Sequence, residues 1–194
     1  FPPRKTVASF PHSSGEETGE KERVSVGPKA CDLGALPILD YIFLEGDFAD
    51  PFYRKARERT LLVTQDCTGF KEVCFCPIVG GQPHPTSGFD INLTPLENGW
   101  LVEAAGDKGQ AVIEDSNDLF QPATDEQRKA RDELRSRVEE DLKKQLKDQG
   151  QIEKAPTAPE TEASIGGELW EEEAVPCVEC GACNLGCPTG HCFI

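Results

Sequence analysis

The chain has 194 residues, 37% of them hydrophobic and 28% charged, with a formal net charge of −15. That length holds one ordinary domain plus a small appended module. Lys and Arg, outnumbered 20 to 35 by Asp and Glu, argue against a phosphate-tracking nucleic-acid surface, and no apolar run approaches the roughly 20 residues that cross a bilayer. The acidic balance suits a solvated surface or a docking face for a basic partner subunit. The start, FPPRKTVASF, is no signal peptide, so a cytoplasmic protein is expected.

Residues 1–23 are rich in Pro, Ser, Gly and Glu, and only TVASF (6–10) is strand-like. VSVG (24–27) predicts a short strand, and LGALPILDYIFL (33–44) a helix with Leu36, Leu39, Ile42 and Phe43 on one face. Asp32 is its expected N-cap, with Pro37 in the first turn. DPFYRKARER (50–59) predicts a more exposed helix and TLLVTQDC (60–67) a buried strand. Together, 24–67 form a strand–helix–strand unit, which normally joins parallel strands. Cys31 and Cys67 then lie just past the carboxyl ends of parallel strands, where open α/β sheets hold ligands.

Further along, 88–106 has strand-like runs on either side of Glu97-Asn98-Gly99, a hairpin signal. At 124 the composition changes to a charged helix with Thr124 and Gln127 as a capping box and Gly150 as its stop. Its apolar stripe, Ala130, Leu134, Val138, Leu142 and Leu146, is narrow enough to suit a helix on a surface or against a partner. Residues 150–167 have linker composition. The expected organisation is therefore a small α/β domain with an antiparallel β extension (1–123), a charged surface helix (124–149), a flexible linker (150–167) and the start of a ferredoxin-like module (168–194).

That module carries Cys177, Cys180, Cys183 and Cys187 in the spacing C-x2-C-x2-C-x3-C, followed by Pro188. This is the bacterial ferredoxin spacing for a 4Fe–4S cluster. A tightly wound loop can present thiolates to several corners of a cubane, and Gly181 and Ala182 let backbone N–H groups approach the sulfurs. Zinc knuckles are normally separated by a dozen or more residues, and disulfides need an oxidising compartment; both readings are weaker. In two-cluster ferredoxins the fourth cysteine of such a run ligates the other cluster. On that pattern Cys177, Cys180 and Cys183 share one cluster and Cys187 belongs to a second, completed by a motif beyond Ile194. A chain that opens on Phe1, contains no Met and stops seven residues after Cys187 is expected to be part of a longer one. Cys192 has two readings, a spare ligand or a packing residue, and His191 reads by default as an exposed polar neighbour.

Cys31, Cys67, Cys74 and Cys76 remain. Two sit at strand ends and two on the following loop, so the four can converge as a second thiolate set for an additional 4Fe–4S cluster. Against this, buried free cysteines are common, and C-x-C points neighbouring side chains apart unless 74–77 is irregular, which Pro77 favours. No G-x-G-x-x-G or G-x-x-x-x-G-K-S/T nucleotide motif is present.

Through GPKACDLGALPILDYIFL, DPFYRKARERTLLVTQDC, CFC, GFDINLTPLENGWLVE and CVECGACNLGCPTGHCF, the chain resembles the 4Fe–4S dicluster-domain family. That family includes the β subunit of sulfhydrogenase and one of the subunits of anaerobic sulfite reductase. The resemblance implies an iron–sulfur subunit relaying electrons between a flavin-containing, pyridine-nucleotide-oxidising subunit and a hydrogenase or reductase subunit. It strengthens the Cys31, Cys67, Cys74 and Cys76 set and implies a second ferredoxin motif downstream. Gly190 departs from the pattern, where another cysteine is expected. Two rival functions stand beside the relay: a reductase subunit whose N-terminal cluster touches a sulfur substrate, and a zinc-stabilised interaction module using the 124–149 helix.

Overall fold

The computed structural model describes residues 22–45, 49–150 and 154–187. The TVASF strand, Cys192 and His191 lie outside the described residues.

Four strands, β1 (Arg23–Val26), β2 (Thr60–Gln65), β3 (Ile91–Leu96) and β4 (Gly99–Ala104), form one sheet in the order β1-β2-β3-β4. The first three are parallel and β4 is antiparallel to β3. This is the expected α/β arrangement with an antiparallel extension. The hairpin also forms, but its two-residue loop is Glu97-Asn98, because Gly99 already pairs with Leu96. Gly99 takes a φ of +147° there, a value that suits a residue without Cβ.

Between β1 and β2 run three helices, α1 (Ala30–Leu33), α2 (Leu36–Leu44) and α3 (Pro51–Glu58). The single helix expected over 33–44 is thus shortened at its start. Pro37 cannot donate to a preceding carbonyl, so the chain restarts at Leu36 with proline in the first turn. Asp32 falls inside α1 and accepts from Lys29 N at 2.7 Å instead of capping the longer helix. Of the expected stripe only Leu39 is buried. α3 is capped by Asp50, which accepts from Phe52 N at 2.8 Å. It holds α2 through Asp40, which receives Tyr53 Oη at 2.7 Å and Arg57 Nε at 3.3 Å.

After the hairpin, α4 (Gly106–Asp115) packs beside β4. A Cβ on Gly109 would stand 2.0 Å from the carbonyl oxygen of Asp90, so the approach of helix to sheet requires glycine.

The largest departure from the expected organisation is α5 (Asp125–Asp148). Its capping box forms as expected, with Gln127 N donating to Thr124 Oγ1 at 3.3 Å and Thr124 N to Gln127 Oε1 at 2.9 Å. Yet Val138, Leu142 and Leu146 are 3%, 1% and 7% exposed: the later part of the stripe serves this chain's own core, while Ala130 stays exposed. α5 packs against β3 and β4, and Leu142 and Leu146 form a buried cluster with Ile78.

What α5 covers is polar. Thr64 and Asn92 pair across β2 and β3, and Asn92 with Glu103 across β3 and β4, so the three share one sheet face. Asp66, Asn92, Thr64 and Thr94 are all fully buried. Asp66 accepts from Asn92 Nδ2 at 2.8 Å and Thr94 Oγ1 at 2.7 Å, and from Arg135 through Nε at 2.7 Å and Nη2 at 3.2 Å. Arg135 also binds Glu103, and Arg131 Nη1 reaches Glu103 at 2.8 Å. A buried carboxylate is tolerated when charge-paired and fully hydrogen-bonded, and Asp66 meets both conditions.

Beyond α5, the segment expected as a linker is partly ordered. Ala155 N donates to Ile78 O at 2.7 Å, and α6 (Ala158–Ser164) forms behind a Thr157–Glu160 capping box. α7 (Glu168–Ala174) and α8 (Ala182–Gly186) follow.

Leu142→Ala should cost about 3 kcal/mol, within the range for fully buried leucines, read as a lower urea midpoint. Gly109→Ala should lower the same midpoint by an overpacking cost of about 1–3 kcal/mol, whereas the exposed Gly186→Ala should not lower it comparably.

Candidate metal centre

β1 ends at Val26 and β2 at Gln65, and the chain turns at both places into cysteine-bearing segments. Cys31 sits in α1, Cys67 two residues past β2, Cys74 in the irregular stretch after it and Cys76 at the start of a short 3-10 turn, Cys76–Val79. The last turn takes C-x-C out of strand geometry, which removes the objection that neighbouring side chains must diverge. Backbone bonds fix the segment: Cys67 N donates to Pro83 O at 2.8 Å, Cys74 N to Lys71 O at 3.0 Å and Gly81 N to Cys76 O at 2.8 Å.

The four are brought together. Cys31, Cys67, Cys74 and Cys76 are thiols, not disulfides, and in each of the six pairs one thiol feels the other's charge. Burial pushes the Cys76 thiol up to about 11, and the neighbouring Cys67, Cys31 and Cys74 add to the rise. Cys67 is raised by burial first, against the nearby Lys29 cation, which lowers it. Cys31 is exposed as a residue, but its thiol is sheltered enough that desolvation raises its pKa, with the charge of Asp32 next. Lys71 N donates to Cys74 Sγ at 3.3 Å, a hydrogen bond of the kind that tunes metal-bound sulfur.

Among the described residues, no three His, Cys, Asp or Glu side chains converge tightly enough to hold a single metal ion. The donor set is soft, all sulfur, as iron–sulfur chemistry requires.

The C-terminal run is arranged differently. Cys177, Cys180, Cys183 and Cys187 are all exposed. Glu179 (φ 53°) and Gly181 (φ 71°) flank Cys180 in left-handed conformation, winding the loop tightly before α8. Gly181 adopts this freely, whereas Glu179 does so at a cost of about 1–2 kcal/mol.

Sequence reasoning missed the supports of the first group: Lys29, Lys71, Asp66 and Arg135. Asp66 carried a signal, an acidic residue at the end of a buried strand, but its partner lies 69 residues away. Also missed is His84, whose Nδ1 is buried without a hydrogen-bond partner. Its pKa is lowered by burial and then by Arg135. Beside Cys74 opens a groove lined by Val73, Phe75, Ile78, Val79 and Leu146.

An α/β domain with four thiols at one sheet edge, followed by a C-x2-C-x2-C-x3-C run, defines a cysteine-rich candidate metalloprotein. The chain is 30% identical over 178 residues to sulfhydrogenase 2 subunit beta of Pyrococcus furiosus, a match covering 92% of this chain and 51% of the relative. It therefore spans about half the length of the curated relative it matches. No family model matches the chain, and no solved structure matches it. No described helix is long and apolar enough to cross a membrane.

In metal-free protein, alkylation of Cys76 should stay slow at neutral pH and accelerate only as the pH approaches about 11. A thiol raised above its ordinary value of 9.0 favours the folded state fully below that value. The contribution is lost as pH climbs from about 9 to about 11, so the urea midpoint of the metal-free chain should fall across that window.

Proposed function

We propose that the chain is an iron–sulfur electron-transfer subunit of a multi-subunit oxidoreductase. Its partners on this reading are a flavin- or pyridine-nucleotide-linked subunit on one side and a hydrogenase or a sulfur, sulfite or disulfide reductase on the other. The observation that carries the reading is that parallel strands β1 and β2 lead, past their carboxyl ends, into Cys31 on one side and Cys67, Cys74 and Cys76 on the other, thiols that feel one another's charge. The similarity to a sulfhydrogenase beta subunit supports the same reading.

Cys31, Cys67, Cys74 and Cys76 would hold one 4Fe–4S cluster. Cys177, Cys180 and Cys183 would hold another, and Cys187 would serve a third shared with downstream residues. Such clusters supply one-electron storage without bond chemistry at the protein. The chain's own residues bind and tune. Raised thiol pKa values mean that loading releases protons. Lys29 offsets part of the thiolate charge beside Cys67, and the Lys71 N–H bonds Cys74. Val73, Phe75 and Val79, at 78%, 58% and 59% exposure, give an apolar rim beside Cys74 against which a redox partner can pack. Free thiols of this kind persist in a reducing compartment, which fits a cytoplasmic location.

Anaerobically purified protein should contain iron and acid-labile sulfide in place of zinc, and give an EPR signal on reduction. Cys74→Ser and Cys183→Ser should each remove the iron of one cluster, and different EPR components should disappear in the two. Zinc in excess of iron, with no signal on reduction, would sink the reading. Turnover of a sulfur substrate by the isolated chain with an artificial donor would favour the reductase alternative.

A further inference from the structure

Three of the four grouped thiols are supported by a helix that carries none of them. Arg135 of α5 grips Asp66 with two hydrogen bonds, at 2.7 and 3.2 Å, and Asp66 is the residue directly before Cys67. Three turns further along, Gln145 Nε2 donates to Lys71 O at 3.2 Å, and Gln149 Nε2, at the end of the helix, reaches Glu72 O at 3.4 Å. Lys71 in turn bonds Cys74 through both its backbone groups, O accepting at 3.0 Å and N donating to Sγ at 3.3 Å. Between these polar contacts Leu142 and Leu146 pack on Ile78, and Cys74 and Cys76 lie against that cluster.

The 67–79 segment is thus fixed at its start, in its middle and at its end by one rigid element. Without α5 it would be a loop with little regular structure of its own, and its thiols would have to be ordered by the metal at the entropic cost of the whole loop.

We infer that α5 is a splint that pre-forms the four-thiol group, with Arg135 the positioning residue for Cys67 and Gln145 and Gln149 the positioning residues for Cys74. The inference rests on reading Cys31, Cys67, Cys74 and Cys76 as one ligand set. Arg135 has a second effect through charge. It is the cation bound to Asp66, the carboxylate next to Cys67 whose charge acts on that thiol, and without it Asp66 loses its ion-pair partner while Glu103 keeps Arg131.

The test is site-resolved iodoacetamide labelling of the metal-free full chain at one fixed pH, read by mass spectrometry. In Gln145→Ala/Gln149→Ala, labelling of Cys74 and Cys76 should rise severalfold, while that of the exposed Cys177 and Cys180 stays unchanged. Arg135→Gln should add Cys67 to the accelerated set. Should Arg135→Gln unfold the domain, the double glutamine variant decides the matter, because its side chains lie near the surface. In the loaded chain, Arg135→Gln should move the reduction potential of the N-terminal cluster downward, and adding Asp66→Asn should move it back. Loosened packing alone imposes neither sign. Unchanged labelling of Cys74 and Cys76 in the double variant overturns the splint. Intact iron content in Cys74→Ser instead overturns the ligand reading beneath it, so the two failures are told apart.

Discussion

The contact between Asp66 and Arg135 decides how this chain is assembled. Asp66 is fully buried, and an ionised carboxylate in that position is untenable unless its charge and its lone pairs are met. Arg135 meets the charge with a two-pronged contact, while Asn92 and Thr94 take up remaining acceptor capacity. The sheet face under α5 is consequently one of the few that a charged helix can cover. An apolar helix would leave Asp66 and Glu103 without their cations, although Thr64, Asn92 and Thr94 would keep partners within the sheet. Breaking one member of such a pair generally costs about 3–5 kcal/mol, because the other charge stays buried alone. The contact therefore specifies where α5 lies more sharply than its narrow apolar stripe does.

This explains which parts of the structure could be read in the sequence. Strands β1 and β2, the β3–β4 hairpin, the Thr124–Gln127 box and the helix starting at Pro51 depend on neighbours within a few residues, and local pattern carries them. The parallel pairing placed Cys31 and Cys67 at one sheet edge by topology alone. The docking of α5 was not legible. Its composition is that of a solvated helix, and the information that overrides composition is an ion pair between positions 66 and 135. The 3-10 turn at Cys76–Val79 was likewise invisible as such, although Pro77 signalled irregularity. The split between α1 and α2 follows from Pro37 acting two residues into its own helix.

Electrostatics then links fold to chemistry. A chain of net charge −15 that gathers four thiols works against itself: ionising one raises the cost of ionising the next, and burial adds to the penalty at Cys31, Cys67 and Cys76. Cys31, Cys67 and Cys76 resolve this by holding their protons to higher pH than an ordinary thiol. A cation bound among them, as proposed above, would relieve the same penalty by offsetting thiolate charge. Lys29 and the Lys71 N–H are small fixed contributions of the same sign.

The two cysteine sets consequently solve the same chemical problem by opposite routes. Cys31, Cys67, Cys74 and Cys76 are gathered by long-range structure, and the ordering entropy of their loop is met when the domain folds and α5 docks. Cys177, Cys180, Cys183 and Cys187 are gathered by spacing alone, on an exposed loop with a left-handed Glu179 and, among the described residues, no comparable apolar packing. On the iron–sulfur reading proposed above, that loop would take its ordering energy from the metal, as small metal-folded modules do. A domain that is pre-formed can hold its centre at a fixed place against a partner. On the relay reading proposed above, the division would leave one centre fixed by the fold and the other ordered by its metal.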